Sequence, residues 1–389
     1  MNNITVTIDY HSLHKYTEEL CGDYIEITHD NNSKTIVLSD GLGSGVKANI
    51  LSTLSAKMIS TMLSKGIPIE ACIDTVAHTL PICKERGLAY STFTILHLLP
   101  NNTLEVINYD NPDIIFLRHG KSQPLNSIDM IISGKRIKKS RIELQEHDTI
   151  IAMSDGCIHA GVGESLNYGW QRDNIIEFLE SMYISDYSSK ALVKLLIDEC
   201  NHLYRQKPGD DTTVLSLKVK KKEVINVCVG PPENKDLDEK MLNLFFAKKG
   251  KHVVCGGTTS HMVSNFLNVP LELSCNYEDM SIPPTATLKG VDLVTEGILT
   301  INKLLSYAED YTADNQLFND WTLKRDGASK LAQLLFEHAT NINFFVGKAV
   351  NPAHQNPNLP INFSIKMQLI DALINHLKAM GKDIAVNYF

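Results

Sequence analysis

The chain lacks most of the features that would place it at a glance. Its eight cysteines (21, 72, 83, 157, 200, 228, 255 and 275) never form a Cys-x-x-Cys pair and are scattered, mostly within apolar segments. That spacing argues against a zinc or disulfide framework and suits a reducing compartment, so a cytoplasmic protein is expected. No apolar run reaches the ~18 residues of a membrane span, and the polar start Met1-Asn2-Asn3 is no signal peptide. Neither a membrane nor secretion is expected. Basic residues are outnumbered, giving a net charge of −8. A general nucleic-acid binder would show a basic face instead, so nucleic acid is not an expected partner. What remains is an ordinary globular composition, 43% hydrophobic and 21% charged. At 389 residues the chain is long for one core, and two domains are expected.

Four acidic sites stand at strand ends. Thr35 to Leu38 is a β-branched, apolar run, and Ser39-Asp40-Gly41 closes it before Gly43 and Gly45 open a helix. Ile150 to Met153 is a second such run, closed by Ser154-Asp155-Gly156. Gly209-Asp210-Asp211-Thr212-Thr213 leads into a strand at Val214 to Val219, and Gly22-Asp23 leads into Tyr24 to Thr28. One such turn is explained by an Asp acting as helix N-cap. The recurrence suits a hard divalent cation, which needs several carboxylate oxygens converging from separate strands. Cys21 and Cys157 lie beside these motifs and read as packing residues, with redox sensitivity as the alternative.

The four motifs, in this order, resemble those of the metal-dependent (PPM, type 2C) protein serine/threonine phosphatases, in particular the bacterial SpoIIE-like subgroup. The resemblance covers roughly residues 1 to 220. It implies an αββα sandwich of two antiparallel sheets flanked by helices, and hydrolysis of phosphoserine or phosphothreonine on a protein partner in bacterial signalling. It also implies two divalent cations, Mn²⁺ or Mg²⁺, sharing a nucleophilic water. Asp40 should bridge the two ions, with the Gly41 carbonyl contributing to one. Asp155 and Asp210 should complete one ion, and Asp23 should hold waters around the other. Asp211 is the less favoured of its pair. Two departures matter. Leu42 stands where some eukaryotic members carry a His, a proton donor to the leaving group. The family's phosphate-binding Arg has no counterpart. A catalytically weak scaffold is the alternative, opposed by four intact acidic sites.

In chain order, Ile4 to His11 reads as a strand. Val46, Ile50, Leu54, Met58 and Met62 recur at i+4 and predict an amphipathic helix that ends at Gly66. A second helix should run from Pro68 to about Arg86, ended or kinked by Pro81. Ser91 to Leu98, Thr103 to Asn108 and Asp113 to Arg118 read as three successive antiparallel strands, turning at Asn101-Asn102 and Asn111-Pro112. The basic stretch Lys135 to Ile142 is expected as an exposed edge strand, with contact to an acidic substrate as the sharper alternative. Ile175 to Tyr183 and Ser188 to Tyr204 read as helices.

From Glu223 strands and helices alternate, which predicts a second α/β domain, 223–389, with a mostly parallel sheet. The residues from Cys275 to Lys289 read as irregular. Every early strand here ends in a glycine-bearing polar turn. Ligands of open α/β sheets bind outside these carboxyl ends. Gly256, Gly257, Thr258 and Thr259, with Glu296 and Lys348 at neighbouring strand ends, are therefore candidate residues for an anionic small molecule. The Gly256 turn is neither Gly-x-Gly-x-x-Gly nor a Walker loop, and plain tight turns explain it equally. Such a domain would suit a small-molecule sensor that gates the first. A polar loop at Asn351 to Pro357 could close over a ligand or be an ordinary connection.

Overall fold

Alternation along single strands sets the layers of the first part of the chain. Ile36 and Leu38 point into one buried cluster and Val37 into another, so this strand is covered on both faces. The computed structural model describes residues 4–30, 33–79, 91–183, 187–273, 284–313, 317–349 and 365–389. The expected helix end at 80–86, Pro81, Cys83, Cys275, Pro283 and the loop 351–357 lie outside the described residues. Two compact units divide the chain, Met1–Lys221 and Lys222–Phe389.

The first unit runs β1 (Ile4–Leu13), β2 (Asp23–His29), β3 (Lys34–Gly41), α1 (Gly45–Ser64), α2 (Ile69–Thr79), β4 (Ser91–Leu98), β5 (Thr103–Tyr109), β6 (Ile115–Arg118), β7 (Lys121–Gln123), β8 (Ser127–Ile132), β9 (Lys135–Glu143), β10 (Thr149–Met153), α3 (Asp155–Ile158), α4 (Arg172–Met182), α5 (Ser189–Leu203) and β11 (Thr212–Lys221). A six-stranded sheet has the order β2-β3-β4-β5-β9-β8, and a five-stranded sheet the order β1-β11-β10-β6-β7. Every pairing in both is antiparallel. Ile36, Leu38, Leu96 and Leu104 meet Phe116, Ile150, Leu215 and Leu217 between the sheets. Burying each such side chain contributes roughly 1.5–3 kcal/mol. Val37, Ile95 and Ile107 pack outward on Ile59, Leu63 and Ile73 of α1 and α2. Ile151, Met153 and Val214 pack on Ile175, Leu179, Val193 and Leu196 of α4 and α5. This is the expected αββα sandwich.

The structure completes one expectation and corrects two. The first half of the α1 stripe faces solvent: Val46, Ile50 and Leu54 are 60%, 52% and 45% exposed. α1 rests on its sheet through Ala48, Ser52, Ser55, Ala56 and Ile59. Small side chains let the helix approach closely, and the buried hydroxyls of Ser52 and Ser55 donate to the Asn49 and Leu51 carbonyls at 3.1 and 2.8 Å. Only Met58 and Met62 lean on the core. Next, β6 does not pair with β5. Asn111-Pro112 carries the chain across to the other sheet, where β6 pairs with β10 and β7. Finally, β9 is no edge, because β8 lies outside it. Its cations form ion pairs along the sheet, Arg136 with Asp129 and Arg141 with Glu105 at 2.6 Å, and Lys138 with Asp113 at 2.8 Å.

The second unit runs β12 (Val224–Val229), α6 (Asp238–Phe246), β13 (Lys251–Cys255), α7 (Gly257–Leu267), β14 (Glu272–Leu273), β15 (Ala286–Leu288), β16 (Val291–Thr295), α8 (Ile298–Thr312), α9 (Phe318–Leu323), α10 (Gly327–Ala332), a π-helical turn Gln333–His338, β17 (Asn341–Val346), α11 (Ile365–Ala379) and β18 (Asp383–Tyr388). The sheet order is β14-β15-β16-β13-β12-β17-β18. The strands from β16 to β18 are parallel, and β14 and β15 add an antiparallel edge. β15 therefore occupies part of the stretch read as irregular. Cys228, Val254 and Phe345 pack on α6 and α7. Val227, Val253 and Phe344 pack on α8, α10 and α11. The strand order reverses between β12 and β17, which makes that gap the topological switch point.

Candidate functional site

Both sheets bring acids to the site. Asp23 begins β2 and stands directly opposite Asp40, the last residue but one of β3. Asp155 begins α3 where β10 ends, and Asp210 and Asp211 immediately precede β11. Two reciprocal bonds tie these last segments together. Ser154 N–H donates to the Thr213 carbonyl at 3.0 Å, and Thr213 N–H to Ser154 Oγ at 2.9 Å. The Tyr204 hydroxyl donates to the Gly156 carbonyl at 2.7 Å, holding the Asp155-Gly156 turn from behind.

Absent side chains matter at two positions. A Cβ on Gly22 would lie 2.7 Å from Asp211 Oδ2, and one on Gly41 only 2.1 Å from the Ala48 carbonyl oxygen. Glycine at 41 thus lets the strand end sit against the first turns of α1. The loop between β1 and β2 closes one side. Lys15 N–H donates to Asp211 Oδ1 at 3.0 Å, Ser44 Oγ to Glu18 Oε1 at 3.1 Å, and Asn49 Nδ2 to the Cys21 carbonyl at 2.8 Å.

Crowded carboxylates hold their protons. Burial, then the charges of Asp23, Asp155 and Asp210, push Asp40 up to about 9. Burial raises Asp23 to about 7, although the nearby Ser154 and Thr213 hydroxyls act in the opposite direction. Asp210 is raised by burial and then by Asp155. The Cys21 thiol is pushed up by burial, Asp23 and Asp211.

The donor set fits a hard cation. Both oxygens of Asp23 and Oδ2 of Asp211 are buried without a hydrogen bond of good geometry, the Ser154 and Thr213 hydroxyls standing near Asp23 without closing one. Leaving such groups unsatisfied is costly. A divalent ion that prefers oxygen ligands, Mg²⁺ or Mn²⁺, would satisfy them. Among the described residues no three His, Cys, Asp or Glu side chains already stand in cation-holding geometry. Gly41 is buried between β3 and α1, and Leu42 after it supplies no proton donor.

The second unit's candidates part company. Gly256 caps α7 with φ +114°, followed by Gly257 and the exposed Thr258. Thr259 is buried, and its Oγ1 accepts from Gly230 N–H at 3.0 Å. Glu296 caps α8, its Oε2 accepting from Leu299 N–H at 3.0 Å. Lys348 lies beyond β17, its ammonium 5.7 Å from the centre of the Tyr388 ring. Sequence reasoning passed over Lys366, whose ammonium donates to the Gly347 and Ala349 carbonyls beside the switch point. It also passed over Lys15, Glu18 and Tyr204. None belongs to a motif, and only the folded chain brings them to the acids.

Residues 30–220 match the family model of stage II sporulation protein E (SpoIIE). No curated protein matches the chain. Among solved structures, the chain is similar to the PP2C phosphatase domain, with a fragment of the regulatory domain, of the cell-fate determinant SpoIIE from Bacillus subtilis. Identity is 19%, coverage 56% of this chain and 64% of that chain, and the TM-score 0.49. The chain thus spans less than two thirds of that relative. It is also similar to the RsbU and RsbW domains of a Mycobacterium tuberculosis protein, at 15% identity, 63% of this chain, 70% of that chain and TM-score 0.46. RsbX in complex with magnesium matches at 20% identity, 57% of this chain, 98% of that chain and TM-score 0.41.

Proposed function

From the match of residues 30–220 to the SpoIIE family model, we propose that the first unit hydrolyses phosphoserine or phosphothreonine on a protein partner with the help of two Mg²⁺ or Mn²⁺ ions. The observation that carries this reading is the carboxylate cluster, with orphaned oxygens on Asp23 and Asp211 and raised protonation of Asp23, Asp40 and Asp210. When bound, such an ion pair activates water at neutral pH and offsets charge on the transferring phosphoryl group.

Asp40, opposite Asp23 and electrostatically coupled to Asp155 and Asp210, is best placed to serve both ions. Asp155 and Asp210 would hold one ion with it. Asp23 would orient the other's surroundings. The Tyr204 bond to Gly156 and the Ser154–Thr213 pair keep Asp155 aimed at the cluster. Asp211 ties the site to the Lys15 loop, and its orphaned oxygen makes it more exacting than its place in the motif suggests.

The purified chain with p-nitrophenyl phosphate, with and without Mn²⁺, tests the reading. Asp40→Asn should lower turnover by roughly 100-fold or more, and Asp155→Asn or Asp210→Asn nearly as much. Undiminished turnover of Asp40→Asn, or full activity in chelator, would overturn it.

A second reading concerns the other unit, where α7 begins without a side-chain cap and Gly257 faces open space. An anionic metabolite is the ligand suited to such a turn. Thermal-shift titration with nucleotides and sugar phosphates tests it, with loss of any shift in Gly257→Val as the check.

A further inference from the structure

α1 carries an apolar stripe that the fold leaves bare. Val46, Ile50 and Leu54 follow one another at i+4 and are each roughly half exposed or more. They begin five residues after Gly41 of the carboxylate site. Leu20 and Tyr16, on the loop that Asn49 and Ser44 tie to α1, are exposed as well. The helix interior gains nothing from these side chains, since Ala48, Ser52, Ser55 and Ala56 make its contact with the sheet. An apolar ridge beside the carboxylate cluster suits a protein rather than a metabolite. The charges of α1 narrow the partner further. Lys47 and Lys57 are exposed on it, and its sequence, Gly45–Ser64, contains no Asp or Glu. Along the helix these two lysines favour an acidic segment over a basic one, while Glu18 and Glu19 border only its first turn, where Ser44 donates to Glu18.

Resting on the phosphatase reading for its biological sense, we infer that the exposed face of α1, Val46, Ile50 and Leu54 flanked by Lys47 and Lys57, docks an acidic amphipathic segment of the phosphoprotein substrate. The phosphorylated residue then reaches the carboxylate cluster while the apolar side chains of the segment lie along α1. Helix-on-helix recognition of this kind is read through anchors at i, i+4 and i+8. Binding energy gained away from the reacting group discriminates between phosphoproteins without requiring any change at the metal site.

The test uses the full chain and a fluorescent peptide of roughly fifteen residues, long enough for an amphipathic helix. The peptide carries leucines at helical spacing among glutamates and one phosphoserine near its end. Its controls replace the leucines by alanine, or the glutamates by lysine. Anisotropy titration should show the parent peptide binding at least about tenfold tighter than either control. Ile50→Asp and Leu54→Asp should each remove that preference, while melting temperature and Mn²⁺-dependent hydrolysis of p-nitrophenyl phosphate stay as in the parent chain. Equal affinity for parent and control peptides, or unchanged binding by both variants, overturns the proposal. So does sedimentation showing a dimer that Ile50→Asp splits, because a second copy would then own the face. If the parent chain binds the peptide selectively yet hydrolyses nothing, the docking face stands and only the catalytic reading falls.

Discussion

Asp23 and Asp40 face each other across an antiparallel pair, where two like charges destabilise the sheet. The protein avoids that cost by keeping protons on them, at about 7 and about 9 against an ordinary 3.8. The sign follows from proton counting. Above pH 4 the unfolded chain releases these protons while the folded chain retains them, so cation-free stability falls as pH rises toward 9. Calorimetry in chelator should therefore show the first unit's melting temperature declining from pH 5 to pH 9. Added Mn²⁺ should offset more of that decline at the alkaline end, because ligation requires the deprotonated carboxylates. A melting temperature in chelator that rises steadily over this range would contradict the assignment. These acids were legible in the sequence because each stands beside a glycine at one end of a strand-forming run. Lys15, whose backbone fixes Asp211 from a loop far away in the chain, was not, since nothing local marks it.

A few short contacts between elements aim the side chains. α3 has a single turn and little rigidity of its own, so Asp155 depends on what holds that turn. The Tyr204 hydroxyl, reaching from the end of α5 to the Gly156 carbonyl, is one such hold. Tyr204→Phe removes a buried hydrogen bond worth about 1 kcal/mol. It should slow Mn²⁺-dependent hydrolysis severalfold and lower the melting temperature by a few degrees, with the ring still packed. Equal loss with Tyr204→Ala and Tyr204→Phe would point to packing instead of the hydroxyl. β9 teaches a related lesson. Its row of cations reads as a solvated edge, yet β8 covers it and acids on β5, β8 and neighbouring segments pair its charges. Non-local pairing is invisible in a single strand.

Each unit carries its own buried clusters, built on Leu38, Ile150 and Leu217 in one and on Val227, Val253 and Phe344 in the other. Burial on that scale supports independent folding. Separate fragments, one ending at Lys221 and one beginning at Lys222, should each unfold cooperatively in calorimetry, and the first alone should retain Mn²⁺-dependent hydrolysis. A first fragment that melts without cooperativity would show that the two units share one stability.

The sequence by itself determined the antiparallel strands and helices of the first unit, the mostly parallel sheet of the second and the positions of the acids. Strand periodicity, strand-end glycines and alternating elements are local properties that short windows of residues carry. Tertiary structure alone decided that Asp23 faces Asp40, that β6 changes sheets, and that Val46, Ile50 and Leu54 turn outward. The stripe at i+4 specifies a helix with an apolar side but not which side meets the sheet. That choice went to the small residues Ala48, Ser52, Ser55 and Ala56, because only they let α1 lie close enough to cover Val37, Ile95 and Ile107 and to meet Gly41.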